Sequence, residues 1–77
     1  MDINNSTHIT SLDDVKEFFK YLYKDKKLNL HPDDLFTEDM GNVTTDEAPL
    51  FNRLMDECFD VCEMTNTDIY GICLEVY

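Results

Sequence analysis

The sequence predicts a mostly α-helical fold, a small compact domain in which two long antiparallel helices are closed by a short C-terminal helix or strand. Apolar residues recur at helical spacing in residues 12–22 and again in residues 50–62. Residues that favour helix N-termini precede both stretches, namely Ser11 and either Thr44 or Thr45. The 77 residues include five phenylalanines and four tyrosines, enough for one domain with an aromatic core.

Residues 1–10 are expected to form a flexible N-terminal lead, because they show no apolar period. Ile3 and Ile9 are the two residues that could attach this segment to the folded domain. Residues 11–77 are expected to form a single small domain. The first helix is predicted over residues 11–26. Acidic residues follow its cap and lysines end it, and both match the helix dipole.

Residues 27–45 are predicted to be a long connection that packs tightly, since structureless loops of this length are unusual in compact domains. Pro32 favours a single helical turn that ends near Phe36, and Gly41-Asn42 indicates a turn. Five residues of the connection are expected to be satellite core residues: Leu28, Leu30, Leu35, Phe36 and Met40.

The second helix is predicted over residues 46–64, with acidic residues in its first turn and Asn66 as a left-handed terminator. Residues 68–77 fit two structures. Alternating apolar residues and β-branched content favour a strand, whereas Asp68 as a cap and the spacing of Ile69, Ile72, Cys73 and Val76 favour a helix. A helix is the preferred interpretation.

Charge is distributed unevenly along the chain. Residues 1–27 hold five lysines and five carboxylates, whereas residues 28–77 hold one arginine and twelve carboxylates, so the net charge of −11 belongs to the second segment. Duplex DNA and anionic membranes are therefore unfavourable partners, because phosphate binding requires clustered basic residues. Three cysteines do not suit a closed disulfide framework, and neither a secretory signal nor a membrane span is recognised. These features predict a cytoplasmic protein.

Metal and catalytic sites are weakly indicated. Cys58, Cys62 and Cys73 with His31 have the composition of a zinc site, but the first two lie within an apolar helical stripe, which favours core packing. Their acidic neighbours also disfavour a reactive thiolate. The carboxylates of residues 33–39 lack the spacing of a calcium-binding loop. No catalytic, cofactor-binding or metal-binding residue is assigned, and the protein is not expected to be an enzyme.

The predicted function is non-catalytic binding of a basic protein partner through an acidic surface. The residues predicted to bind this partner are Asp33, Asp34, Asp56, Glu57, Asp60 and Glu63. A nucleic-acid-mimicking inhibitor of a DNA- or RNA-binding protein is the alternative, and a small metal-binding domain or enzyme is a more remote one. Lys16, Lys20 and Lys24 form a basic stripe on the first helix, which interrupts any continuous acidic face.

Overall fold

The structure is a computed structural model, and the residues it describes are 3–28, 31, 33, 35–37 and 42–76. Over these residues the chain is compact and mostly helical, with three helices and no strand. The helices are α1 (Leu12–Lys20) with a π-helical extension (Tyr21–Asp25), α2 (Glu47–Met64) and α3 (Ile69–Val76). The predicted helical class is confirmed, and the C-terminal element is a helix rather than a strand.

The first helical segment begins where the sequence predicts. Ser11 has an extended backbone, and its hydroxyl oxygen accepts a hydrogen bond from the Asp14 N–H at 3.2 Å. After Lys20 the helix widens into a π-helical turn, in which the Lys26 N–H donates to the Tyr21 carbonyl at 3.0 Å. Lys27 follows with a φ of 54°, the left-handed conformation that ends helices.

The second helix begins with a reciprocal pair of hydrogen bonds between Thr44 and Glu47. The Glu47 N–H donates to the Thr44 hydroxyl at 3.2 Å, and the Thr44 N–H donates to the Glu47 carboxylate at 3.0 Å. This is a capping box, and it identifies Thr44 as the capping side chain. At the other end, Asn66 has a φ of 54°, as predicted for the terminator.

The third helix is capped by Asp68, whose carboxylate accepts a hydrogen bond from the Tyr70 N–H at 3.1 Å. Its inner face buries Ile69, Ile72 and Cys73, three of the four residues in the helical set that the sequence predicts, and the fourth, Val76, is partly buried. The helix is preferred over the strand because this spacing places all three side chains against the core at once.

The core has an aromatic centre at Phe51, which is fully buried. Ring centroids lie 6.1 Å away for Phe18, 6.2 Å for Tyr21 and 5.4 Å for Phe36, in edge-to-face arrangements. One side chain therefore joins α1, its π-helical extension, the connection and α2. No polar or charged residue is buried within the described part of the chain.

One prediction for the connection is wrong. Leu35 is 72% exposed, whereas its neighbour Phe36 is 2% exposed. The Asn52 side chain accepts from the Phe36 N–H at 2.8 Å and donates to its carbonyl at 3.0 Å, which fixes the backbone so that only Phe36 points inward. Leu28 packs against the core as predicted. The predictions for Leu30, Pro32, Met40 and Gly41 lie outside the described residues.

Membrane crossing requires a helix of sufficient length and apolar content, and none of the helices in the described residues has both.

Replacing Phe51 by Ala is expected to lower the free energy of unfolding by about 3–5 kcal/mol, because a large cavity opens where four segments meet. Such a loss approaches the whole stability of a small domain. The measurement is urea denaturation followed by circular dichroism. The control is Met64→Ala, since Met64 is 84% exposed, and its stability is expected to stay within about 0.5 kcal/mol of wild type. Equal effects of the two substitutions would contradict a core centred on Phe51.

Candidate protein-binding surface

Three of the predicted partner-binding residues lie together on the outer face of α2. Asp56, Asp60 and Glu63 are spaced four and three residues apart, and all three are exposed. Their carboxylates form no ion pair or hydrogen bond with the other described residues. We call these three residues the acidic stripe. Like charges at this spacing destabilise a helix by about 0.2–0.5 kcal/mol per pair, so the stripe does not serve the stability of α2.

The position of the acidic stripe along α2 is also unfavourable. The C-terminal end of a helix carries a partial negative charge, and basic residues usually occupy its last turn. The last turn of α2 contains no basic residue, and Glu63 lies one residue before the helix ends at Met64. The stripe therefore places negative charge where the helix dipole opposes it.

Glu57 lies beside the stripe but is directed towards the N-terminal segment. Its side chain is 23% exposed, and its carboxylate accepts hydrogen bonds from the Ile9 N–H at 2.8 Å and from the Arg53 guanidinium at 2.6 Å. His8 Nδ1 lies 3.3 Å from the same carboxylate. The structure thus places this predicted binding residue in intramolecular contacts, apart from the other three.

Arg53 extends the same contact along the N-terminal segment by donating to the carbonyls of Asn5 at 3.2 Å and Thr7 at 2.9 Å. Together, Arg53 and Glu57 hold residues 5–9 against α2, and Ile9 is buried beneath them. The flexibility expected for residues 1–10 stays a prediction. The spacing of Arg53 and Glu57, four residues apart on one helix, is a sequence signal for their ion pair but not for the contact with residues 5–9.

The pKa of Glu57 reflects these contacts. Burial alone raises the pKa of a carboxyl group, but the hydrogen bonds from Ile9, Arg53 and His8 and the positive charge of Arg53 outweigh it. The pKa of Glu57 is therefore held below its ordinary value. The folded protein stabilises the ionised form, so this carboxylate contributes stability above its ordinary pKa.

Two other carboxylates join neighbouring segments in the same way. Asp14 accepts hydrogen bonds from the Thr10 N–H at 3.0 Å and the Thr10 hydroxyl at 2.9 Å, and these bonds lower its pKa. Glu47 accepts two hydrogen bonds of 2.9 Å from the Lys26 ammonium group, which lower its pKa. Asp14, Glu47 and Glu57 therefore have partners in neighbouring segments, which the carboxylates of the acidic stripe lack among the described residues.

Of the two predicted residues of the connection, Asp33 is described, and it contacts α3. Asp33 is exposed and accepts a 2.7 Å hydrogen bond from the Tyr70 hydroxyl of α3, and the His31 ring packs 5.8 Å from the Tyr70 ring. Asp34 lies outside the described residues. Asp33 therefore belongs to the surroundings of α3 rather than to the acidic stripe.

Two segments flank the acidic stripe. Asn52, which holds Phe36, lies on one side of Asp56 and Asp60 around the helix, and Arg53, which holds the N-terminal segment, lies on the other. Met64 is 84% exposed at the end of α2, four residues after Asp60. The sequence alone did not assign Met64 to the surface. The helical period shows which face of a helix is apolar, but it does not show at which turn the rest of the chain stops packing against that face.

The basic stripe of α1 does not neutralise the acidic stripe. Lys16 pairs with Glu75 of α3 at 3.5 Å. Among the described residues, neither Lys20 nor Lys24 forms an ion pair with α2. The carboxylates of the stripe thus remain available to groups outside the chain.

The three cysteines are buried free thiols. Burial, together with the nearby Cys62 and the charge of Glu57, raises the pKa of the Cys58 thiol, and burial also raises that of Cys62. These groups therefore pack as small apolar side chains. The described residues contain no group of three or more potential ligands that is arranged to hold a metal ion.

Replacing Glu57 by Gln is expected to lower the free energy of unfolding at neutral pH by about 1–3 kcal/mol, because hydrogen bonds to a charged acceptor become neutral ones. Wild-type stability is expected to fall as the pH drops below the ordinary pKa of 4.5, whereas the variant loses less over the same range. Urea denaturation at a series of pH values measures both effects.

The matched control is Asp56→Asn, which removes the same charge one residue away. Asp56 has no partner among the described residues and is repelled by Asp60, so this variant is expected to gain no more than about 0.5 kcal/mol of stability at neutral pH and to keep the loss of stability in acid that Glu57 causes. If the two variants behave alike, net charge rather than the contact of Glu57 determines the acid sensitivity.

Comparison with known proteins provides no relative from which a site can be transferred. No protein family, curated protein or solved structure matches this chain. The contacts, exposure and charges of the chain itself are therefore the basis for any functional conclusion.

Proposed function

We propose that this protein is a non-catalytic, cytoplasmic binding module that presents the acidic stripe of α2 to a basic protein partner. The observation that supports this proposal is the set of three exposed carboxylates, Asp56, Asp60 and Glu63, which have no partner within the described residues. They repel one another and oppose the dipole of their own helix. A basic partner removes both penalties when it binds. The cytoplasmic location is supported by three cysteines that are free thiols.

The proposal includes the antiparallel arrangement of the two longer helical segments. Contacts between them follow the reverse order along the chain: Phe18 contacts Phe51, and Lys26 contacts Glu47. This order supports a hairpin in which the acidic stripe near the end of α2 lies at the same end of the domain as the start of α1.

Electrostatic attraction is the proposed mechanism of binding. Clustered charges of one sign accelerate the approach of an oppositely charged surface and repel surfaces of like charge. Each exposed ion pair contributes only about 0–1 kcal/mol, so three carboxylates determine orientation and association rate more than total affinity. Salt screens such interactions, and association is therefore expected to slow as ionic strength rises.

Nucleic-acid mimicry is less well supported by the dimensions of the stripe. The rise of an α-helix places Asp56 and Glu63 about 10 Å apart along the axis, which corresponds to roughly three phosphates of one DNA strand. Glu57, which would widen the charged face, is occupied by Arg53. Competition with duplex DNA for a DNA-binding protein remains the test that distinguishes mimicry from binding of a basic protein.

Replacing Glu63 by Lys is expected to change stability and binding in opposite directions. The free energy of unfolding should rise by about 0.3–1 kcal/mol, because a cation replaces an anion near the C-terminus of α2. Binding of a fluorescent oligolysine peptide, measured by anisotropy at low salt, should weaken by about threefold or more. The wild-type interaction should disappear in a salt titration.

The matched control is Glu17→Lys, which makes the same change in net charge at an exposed position of α1. This variant is expected to bind oligolysine more tightly than Glu63→Lys does. Equal weakening by both substitutions would show that only net charge matters, and the acidic stripe would lose its assigned role.

A further inference from the structure

The outer face of α3 exposes apolar side chains. Tyr70 is 41% exposed and Leu74 is 80% exposed, and Gly71 lies beside them on the same exposed face. Tyr70 and Leu74 are four residues apart and therefore neighbours on one side of the helix. We call Tyr70, Gly71 and Leu74 the α3 outer face.

Three side chains of α3 contact other segments of the domain. Glu75 pairs with Lys16, Cys73 contacts the Tyr23 hydroxyl, and Tyr70 donates to Asp33. The contacting residues Lys16, Tyr23 and Asp33 follow one another in the sequence. Their partners on α3 are Glu75, Cys73 and Tyr70, in the reverse order, so α3 runs antiparallel to the first helical segment and the connection. Gly71 and Leu74 of the α3 outer face are exposed and make none of these contacts, whereas Tyr70 lies at the edge of this face beside the connection.

Gly71 provides an independent observation about the same face. It lies within a helix, where glycine is markedly less stable than alanine. A Cβ atom at this position would lie 3.6 Å from the Asp68 carboxylate, an ordinary contact, and the backbone is not in the left-handed region. Nothing in the described residues requires glycine here, and the missing side chain leaves the helix backbone open to close approach by another backbone from outside.

The charges around this face favour a basic occupant. Asp33 bonds the Tyr70 hydroxyl, and Asp68 accepts from the Tyr70 N–H, so two carboxylates flank one aromatic side chain. The hydrogen bond to Asp33, with the charges of Asp33 and Asp68, raises the pKa of Tyr70, which agrees with a negative potential there. Glu75 is offset by Lys16. A second copy of the chain is disfavoured because each copy has a net charge of −11.

We propose that the α3 outer face docks an amphipathic helix of a basic partner protein. The backbone of that helix approaches Gly71, its apolar side chains cover Leu74, and a lysine or arginine lies between Asp33 and Asp68 on the side of the Tyr70 ring that the His31 ring does not contact. The inference rests on the proposed function only for the sign of the partner's charge, because it uses a different helix and different residues from the acidic stripe.

The test is Gly71→Ala, because this substitution is expected to raise the stability of the fold and to lower the affinity for the docked helix. The melting temperature should rise by roughly 4–8 °C, because alanine favours the helix. The probe is a synthetic amphipathic helical peptide of leucine and lysine, and its affinity should fall by about tenfold, because a methyl group blocks backbone approach. Leu74→Ala should weaken the same peptide by about tenfold while leaving the melting temperature nearly unchanged.

Two controls complete the experiment. A peptide in which glutamate replaces lysine should not bind, and a lysine peptide without leucine should bind equally to wild type and Gly71→Ala. Met64→Ala removes an exposed apolar side chain from α2 instead of α3 and should keep wild-type affinity for the leucine–lysine peptide. Unchanged affinity of Gly71→Ala and Leu74→Ala would overturn the inference.

The two proposals fail in distinguishable ways. If Glu63→Lys weakens peptide binding but the α3 variants do not, the acidic stripe is retained and the α3 outer face is rejected. If the α3 variants weaken peptide binding and Glu63→Lys weakens it no more than Glu17→Lys does, the α3 outer face is retained and the acidic stripe is rejected. If wild type binds neither oligolysine nor the leucine–lysine peptide, both proposals are overturned.

Discussion

Burial of the Phe51 ring is the constraint on which the rest of the structure depends. The ring contacts α1, its π-helical extension and the connection from its own position on α2, so three segments lose an apolar partner if it is removed. A chain of this size buries a limited apolar surface, and its stability margin is correspondingly small. The positions of the charged groups follow from this constraint, because they must lie around a core that contains no charge among the described residues.

The carboxylates around that core have two different roles. Asp14, Glu47 and Glu57 accept hydrogen bonds from neighbouring segments, and each has a lowered pKa. Among the described residues the acidic stripe of α2 has no such partners, and it is disfavoured by its own helix. A count of charges along the sequence does not distinguish these two groups. The contacts in the structure do, because the first group accepts hydrogen bonds that hold segments together and the second group accepts none from the described residues.

Local signals in the sequence were sufficient to predict the helices. Ser11, Thr44 and Asn66 act at helix ends through contacts within a few residues, and the apolar period identifies the inner faces. Contacts between distant residues were not predictable. Glu57 accepts a hydrogen bond from Ile9, which is 48 residues away in the sequence. Residue spacing alone therefore did not distinguish Glu57 from its acidic neighbours on α2. Leu35 was assigned to the core because composition does not show which of two adjacent apolar residues faces inward.

The same limit applies to the candidate surfaces. The helical interpretation of α3 already placed Tyr70 and Leu74 opposite the buried set, so their exposure was implicit in the sequence. Their acidic surroundings depend on Asp33, which comes from the connection and reaches Tyr70 only in the folded chain.

The attachment of residues 5–9 to α2 by Arg53 and Glu57 has a consequence for cooperativity. Only Ile9 of this segment is buried in the core, and the preceding Ile3 is partly buried. Detachment of the segment therefore requires the loss of a small number of polar contacts and the exposure of Ile9, and it leaves the ring contacts of Phe51 intact. Amide hydrogen exchange should then show a sub-global opening of the N-terminal segment at lower free energy than global unfolding.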